Sequence, residues 1–188
     1  MDWILASGSP RRKEILQNLG ISFEVITADV DESCDKTDPA EIVCELAARK
    51  AAAVAAQVGP TDRPILAADT LVACDGKVLG KPVDAADAAA MLRMLSGRTH
   101  EVFSGISLIV GDRQITEFEA TAVTFDEMTD KEIADYIATG EPLDKAGGYA
   151  VQGKAAVFIK KLDGCYFNVV GLPVHRLYRM LKKWEVSI

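Results

Sequence analysis

Trp3-Ile4-Leu5-Ala6-Ser7-Gly8-Ser9-Pro10-Arg11-Arg12 is the stretch whose reading decides the fold. Its first four residues are apolar and read as a buried strand, and Glu14 to Leu19 read as a helix stopped at Gly20. Ser9 suits the N-cap, and Pro10 the first helical position, where its missing N–H costs nothing. A strand that turns straight into a helix directs free backbone N–H groups and a positive dipole end at one spot. Two arginines in that first turn oppose the dipole and repel each other. A solvated basic turn would tolerate the conflict. A bound phosphate chain would resolve it, because guanidinium forks match phosphate oxygens. The strand–turn–helix context favours the phosphate.

Outward from this stretch, short β-like runs alternate with amphipathic helices. Phe23 to Thr27 reads as a strand, followed by an acidic irregular stretch from Asp29 to Asp38. Asp38-Pro39-Ala40-Glu41 opens the longest helix, reaching about Val58 with an apolar stripe through Ile42, Val43, Leu46 and Ala47. Pro64 to Ala68 is a central strand with Asp69-Thr70 at its end, continued by Leu71 to Cys74 into the hairpin turn Asp75-Gly76. A helix over 84–95, β runs over 101–110 and 114–125, and a capping box at Thr129 to Glu132 follow. Further β runs are expected around Tyr149–Val151 and Ala155–Leu162, then a last helix from about Pro173 to Trp184. Alternation early and hairpins late predict one α/β domain over residues 1–188 with a mixed sheet. Two lobes around a cleft would be compatible with this, although no boundary shows in the sequence.

The totals narrow the function. A chain of 188 residues with 49% apolar and 26% charged residues suits a globular domain with a substantial core. A net charge of −7 argues against a nucleic-acid surface, so positive charge in a site is aimed at a small anion. Cys34, Cys44, Cys74 and Cys165 form neither a zinc pattern nor a disulfide framework, which fits a reducing cytosol. No charged-then-apolar leader opens the chain and no apolar run approaches membrane-spanning length, so a soluble, cytoplasmic protein is expected.

Beyond the opening stretch, each candidate taken alone has a bland reading beside the sharp one. Asp69, at a buried strand end beside Ala67-Ala68 and Leu71, suits a partly desolvated general base; it equally suits a turn cap. Glu32 in the acidic loop can join Asp69 in holding a divalent cation, or simply be solvated. Lys50 by itself reads as a surface lysine on its helix. Lys81, between Gly80 and Pro82, sits on restricted backbone that can aim its ammonium. In Leu143 to Gly153, three glycines let backbone approach a ligand, or else serve a bulge, and Gln152 can read a base edge. His100 and His175 read as surface or core residues. No Walker, G-x-G-x-x-G, H-E-x-x-H or G-x-S-x-G pattern occurs, which disfavours a serine or cysteine nucleophile.

Together these pieces resemble the Maf family of nucleoside triphosphate pyrophosphatases. The resemblance is carried, in order, by S-x-S-P-R-R at Ser7 to Arg12, Asp31-Glu32, Lys50, Ala68-Asp69-Thr70, Gly80-Lys81-Pro82, Leu95-Ser96-Gly97, L-D-K-A-G-x-Y-x-x-Q-G from Leu143 to Gly153, and V-V-G-L-P from Val169 to Pro173. It runs from about residue 4 to residue 181.

The resemblance implies an elongated α/β fold like that of inosine-triphosphate pyrophosphatases, with a long mixed sheet, flanking helices and a central cleft. It implies hydrolysis between the α- and β-phosphates, to monophosphate and diphosphate, with Mg²⁺ or Mn²⁺. One branch prefers dTTP and UTP, another 7-methyl-GTP. Arg12, Thr70 and Gln152 look like the first; the second typically has D-Q in place of Asp69-Thr70 and Glu in place of Gln152. In this reading Arg11, Arg12, Lys50 and Lys81 neutralise the triphosphate, with Ser7 also contacting substrate. Glu32 and Asp69 position the metal, Asp69 takes the proton from water, and Thr70 and Gln152 face the pyrimidine or its sugar. The partner expected is a small nucleoside triphosphate, with no nucleic acid or membrane and with room for a homodimer. The rivals are a non-hydrolysing nucleotide-binding regulator of cell division and the same enzyme type acting on 7-methyl-GTP.

Overall fold

Apolar runs and amphipathic stripes alternate along the chain, and the elements follow that alternation. The computed structural model describes residues 2–184. In chain order the elements are β1 (Trp3–Leu5), α1 (Pro10–Asn18), β2 (Phe23–Val25), α2 (Pro39–Val58), β3 (Ile65–Cys74), β4 (Lys77–Leu79), α3 (Ala85–Leu95), β5 (Thr99–Val110), β6 (Arg113–Phe125), α4 (Asp130–Ile137), β7 (Ile159–Asp163), α5 (Tyr166–Val170) and α6 (Val174–Lys183). The strands form one seven-stranded sheet in the order β2-β1-β3-β5-β6-β7, with β4 paired to β3. β1 is parallel to β2 and to β3, whereas β3–β4 and β6–β7 are antiparallel, so the sheet is mixed and the class is α/β.

The chain divides into two compact units. One holds the residues up to Asp69, Ser104–Glu119 and the chain from Gly171 on; the other holds Thr70–Phe103 and Ala120–Val170. In the first, Ile4, Ile65 and Ala67 of the sheet, with Ala6 just after β1, pack on Ala51 and Val54 of α2. The apolar stripe of α2 runs Val43, Leu46, Ala47, Ala51 and Val54, all buried. This helix lies very close to β5, because a Cβ added at Gly105 would stand 2.3 Å from the Val43 carbonyl oxygen. Only glycine fits there, and that contact sets the depth at which α2 rides on the sheet. In the second unit, Val72, Leu92, Val102, Val123 and Phe125 form the centre of a core closed by Ile133 and Tyr136 of α4. Each such side chain removed from water contributes roughly 1.5–3 kcal/mol.

Local signals decide the ends. Asp38 caps α2 by accepting from the Ala40 N–H at 2.8 Å, and Asp84 caps α3 through the Asp87 N–H. Thr129 and Glu132 make both bonds of the expected capping box on α4. Asp75 and Gly76 take φ of 50° and 74°, as the two-residue β3–β4 hairpin turn needs.

Two expectations are corrected. Asp69-Thr70 does not end a strand: β3 is unbroken from Ile65 to Cys74. What changes there is the pairing, since β1 accompanies β3 at Ile65 and Leu66 and β4 at Val72 to Cys74, with Asp69 between these ladders. The β run expected at Tyr149–Val151 is irregular chain and turn that follows a 3₁₀ turn over Ala146–Gly148, the run expected from Ala155 starts as a second 3₁₀ turn, Lys154–Phe158, and β7 begins only at Ile159. Gly147 and Gly148, at φ of 69° and 72°, fold the chain too tightly for a ladder. α5, over Tyr166–Val170, is a short helix that the sequence pattern does not indicate.

Candidate functional site

Three consecutive local decisions build a charged cluster in the first unit. The first is the turn from β1 into α1. Pro10 occupies the first helical position as expected, but Ser9 makes no side-chain cap. Instead the Ser9 N–H donates to the Ser7 hydroxyl at 3.3 Å. That hydroxyl also accepts from Arg12 Nη1 at 2.9 Å, while Arg12 Nε donates to the Gly171 carbonyl at 2.8 Å. Ser7 is buried and the Arg12 guanidinium is enclosed by protein. Enclosure draws its pKa down from 12.5 to about 10, against the pull of the nearby Asp69 carboxylate and with the push of Arg11. Arg12 is therefore held rigidly and charged at neutral pH, and Arg11, Arg12 and Asp69 lie within electrostatic reach of one another.

The second decision is the register of α2. Lys50 stands seven residues after Val43 and four after Leu46, so it continues the buried stripe of that helix. Only about a fifth of its side chain is exposed. This corrects the expectation of a surface lysine. The third is the pairing gap in β3, which leaves Asp69 half-buried and facing that ammonium. Lys50 Nζ lies 2.6 Å from Asp69 Oδ1 and 2.7 Å from Glu32 Oε1. Two carboxylates thus converge on one cation.

Glu32 comes from the irregular loop between β2 and α2, which the flanking residues hold in place. Asp31 accepts from the Ser33 N–H at 2.8 Å and the Ser33 hydroxyl at 2.7 Å. Those bonds keep its carboxylate below the usual range. Arg49 donates to the carbonyls of Asp31, at 3.0 Å, and Ser33, at 2.6 Å. Beneath this loop lies an open cavity of about 820 Å³ lined by Asp31, Ser33, Lys36, Glu45 and Arg49 among others. Neither Lys50 nor Asp69 lines it.

The structure brings together Ser7, Arg11, Arg12, Glu32, Lys50 and Asp69 of the sequence-predicted residues. The other three belong to the second unit. Thr70 follows Asp69 on β3 and is half-buried; Lys81 and Gln152 are exposed. Gln152 sits in a turn whose backbone is well fixed. Gly153 N–H donates to the Ala150 carbonyl, and the Glu141 carboxylate accepts from the Lys154 N–H at 3.0 Å and the Tyr136 hydroxyl at 2.9 Å. A Cβ at Gly153 would stand 2.1 Å from Glu141 Oε1. The glycines of this segment therefore serve tight turns. Arg49 and Glu141 are the supporting residues that sequence reasoning missed.

Among the described residues no group of three or more His, Cys, Asp or Glu could hold a metal ion. Glu32 and Asp69 nevertheless form a pair of oxygen donors converging on one cationic atom. That suits Mg²⁺ or Mn²⁺, which take one or two carboxylates and complete their shell with water and substrate phosphates. No described helix is long and apolar enough to cross a membrane.

A family model described as Maf-like protein matches residues 2–184. The chain is 48% identical over 186 residues to a dTTP/UTP pyrophosphatase of Bacillus cereus, covering 98% of this chain and 96% of that one. It is 50% identical over 184 residues to the dTTP/UTP pyrophosphatase of Bacillus cytotoxicus, covering 97% and 95%. Among solved structures it is similar to the Ham1 protein of Staphylococcus aureus, with a TM-score of 0.47 and 15% identity over 66% of this chain and 72% of that one. It is also similar to a nucleoside-triphosphatase / dITP/XTP pyrophosphatase of Mycobacterium abscessus, with a TM-score of 0.44 and 18% identity over 66% and 74%.

Proposed function

The chain belongs to the Maf family, and from that premise we propose that it is a nucleoside triphosphate pyrophosphatase. Its substrates are dTTP and UTP, each hydrolysed at the α–β phosphoanhydride bond to a monophosphate and diphosphate. The observation that carries the reading is the Lys50 ammonium joined at once to Asp69 and Glu32, beside a guanidinium fixed on Ser7 and Gly171. Such a cluster presents fixed positive charge together with a carboxylate able to accept a proton, the two needs of phosphoryl transfer to water. The high identity to relatives named dTTP/UTP pyrophosphatase supports the choice of nucleotide.

Arg11, Arg12 and Lys50 bind and orient the phosphate chain, and the resemblance to the family implies Lys81 as a further substrate cation. Pairing with Lys50 occupies one oxygen of Asp69; a carboxylate has acceptor capacity beyond that, so Asp69 takes the proton of the attacking water. Glu32 and Asp69 would hold a divalent cation, which when bound would supply charge neutralisation at the phosphate oxygens. Lys50 keeps the two carboxylates together when no such cation is there, since paired carboxylates alone repel. Thr70 and Gln152 recognise the nucleoside. A glutamine offers a donor and an acceptor at once, which suits the carbonyl and N–H edge shared by uracil and thymine.

The test is a panel of dTTP, UTP, 7-methyl-GTP and a deaminated purine triphosphate, each assayed for diphosphate release by the purified protein with Mg²⁺ or Mn²⁺. Fastest release from dTTP and UTP is expected. Binding of all four without release would instead identify a nucleotide sensor, and a preference for 7-methyl-GTP would reassign the substrate.

A further inference from the structure

Glu32 sits on a loop without regular structure, yet its carboxylate must arrive within 2.7 Å of Lys50 Nζ. The backbone bonds that fix the loop's ends are far from it in sequence: the Ile26 N–H donates to the Leu5 carbonyl, and the Asp38 carbonyl accepts from Ile42. The eleven residues 27–37, if freely moving, would leave a long glutamate side chain poorly aimed. Something has to hold the middle.

We infer that Arg49 is a positioning residue for Glu32, clamping the carbonyls on both sides of it so that the carboxylate stays on the metal and phosphate site. The inference rests on the reading of Glu32 as part of that site. Arg49 Nη1 carries two hydrogens, and it donates to the Asp31 carbonyl at 3.0 Å and the Ser33 carbonyl at 2.6 Å. Nη2 donates to the carboxylate of Glu45, one turn earlier on α2, which fixes the rotation of the guanidinium plane. Arg49 and Lys50 are neighbours on that helix. One grips the loop by its main chain and the other by its carboxylate, so the rigid body of α2 sets both. The local bonds between Asp31 and Ser33 shape the loop without tying it to any element. Only a planar fork with several fixed donors can span two carbonyls and a carboxylate; an ammonium cannot.

The test measures Mn²⁺ binding by electron paramagnetic resonance, without nucleotide, on the full-length protein and on Glu32→Gln, Arg49→Ala and Arg49→Lys. Hydrogen exchange of the 29–37 amides is followed in parallel. Supporting residues of a metal site typically change affinity by about 10- to 100-fold. Both Arg49 variants are expected to weaken Mn²⁺ by that factor, approaching Glu32→Gln, and to speed exchange in the loop. Rescue by Arg49→Lys would show a simple charge effect and overturn the clamp. So would faster loop exchange with unchanged Mn²⁺ affinity, which is what a purely structural role predicts. A wild-type protein that binds Mn²⁺ no better than Glu32→Gln would overturn it too. If the clamp behaves as expected but no nucleotide is hydrolysed, the positioning stands and the proposed activity falls.

Discussion

At the scale of single residues, Lys50 is the hub of the site. Its spacing from Val43 and Leu46 places it on the buried stripe, so the sequence already held the signal that it is not a surface lysine. What spacing could not reveal is its partners, which lie 18 and 19 positions away in sequence. The same holds for Arg12, whose anchor on the Gly171 carbonyl is separated from it by 159 positions. The two carboxylates on Lys50 differ in enclosure: the side chain of Asp69 is 16% exposed and that of Glu32 is 64% exposed. The more enclosed group is better protected from bulk water, and for that reason the proton-accepting role is assigned to Asp69. Asp69→Asn keeps size and polarity but cannot accept that proton. It should lower kcat by about 10²- to 10⁴-fold, with nucleotide KM changed little. The melting temperature should stay close to that of the parent, because Lys50 retains Glu32. Near-normal kcat in a folded Asp69→Asn protein would transfer the role to Glu32.

At the scale of elements, β5, β6 and the glycine-rich segment meet at His100. This histidine is 2% exposed, its Nε2 shares a 2.7 Å hydrogen bond with the Tyr149 hydroxyl, and its Nδ1 has no hydrogen-bond partner among the described residues. Phe125 and Tyr149 stand edge-on to its ring at 5.1 and 5.3 Å. Burial lowers its pKa from 6.5 to about 4. The folded chain therefore binds fewer protons than the unfolded chain between those values, and stability rises with pH across that window. It is fully present above about pH 6.5 and is lost as pH falls toward 4. With about 1.4 kcal/mol per unit, the loss from pH 7 to pH 5 should be about 2 kcal/mol. Urea unfolding at both pH values should show that difference in the parent, and His100→Gln should remove most of it. An equal loss in both proteins would assign the acid sensitivity to carboxylates. This neighbourhood also shows why part of the fold was hidden from the sequence. The capping box at Thr129, the Asp38 cap and the Asp75-Gly76 turn each depend on residues within a few positions of one another, and all three are readable locally. Within the segment from Leu143 to Gly153, Tyr149–Val151 has an apolar pattern that suits a strand. Its path is dictated instead by distant partners: Gly147 against Val72, the Gly80 carbonyl accepting from the Gly147 N–H, and Tyr149 on His100.

At the scale of the whole molecule, charge is distributed against the overall sign. Arg11, Arg12, Lys50, Glu32 and Asp69 together carry about +1, in a chain whose net charge is −7, so the rest of the surface carries about −8. A nucleoside triphosphate approaching from solution would meet repulsion before it meets the cations proposed to bind it. Distance decides which of the two salt affects. The Debye length shrinks from about 30 Å at 0.01 M to about 8 Å at 0.15 M, so added salt removes the long-range repulsion. Contacts to a bound substrate would act within a few ångströms, and in partly enclosed surroundings they are screened much less. At saturating Mg²⁺, kcat/KM for dTTP should therefore rise by about 2- to 5-fold between those two salt concentrations, through KM, with kcat unchanged. Nucleic-acid-binding proteins show the opposite slope, because their long-range field is attractive. A fall in kcat/KM over the same range would mean that the local cations, and not the acidic surface, govern the approach. In that case Arg11→Ala should flatten the salt dependence.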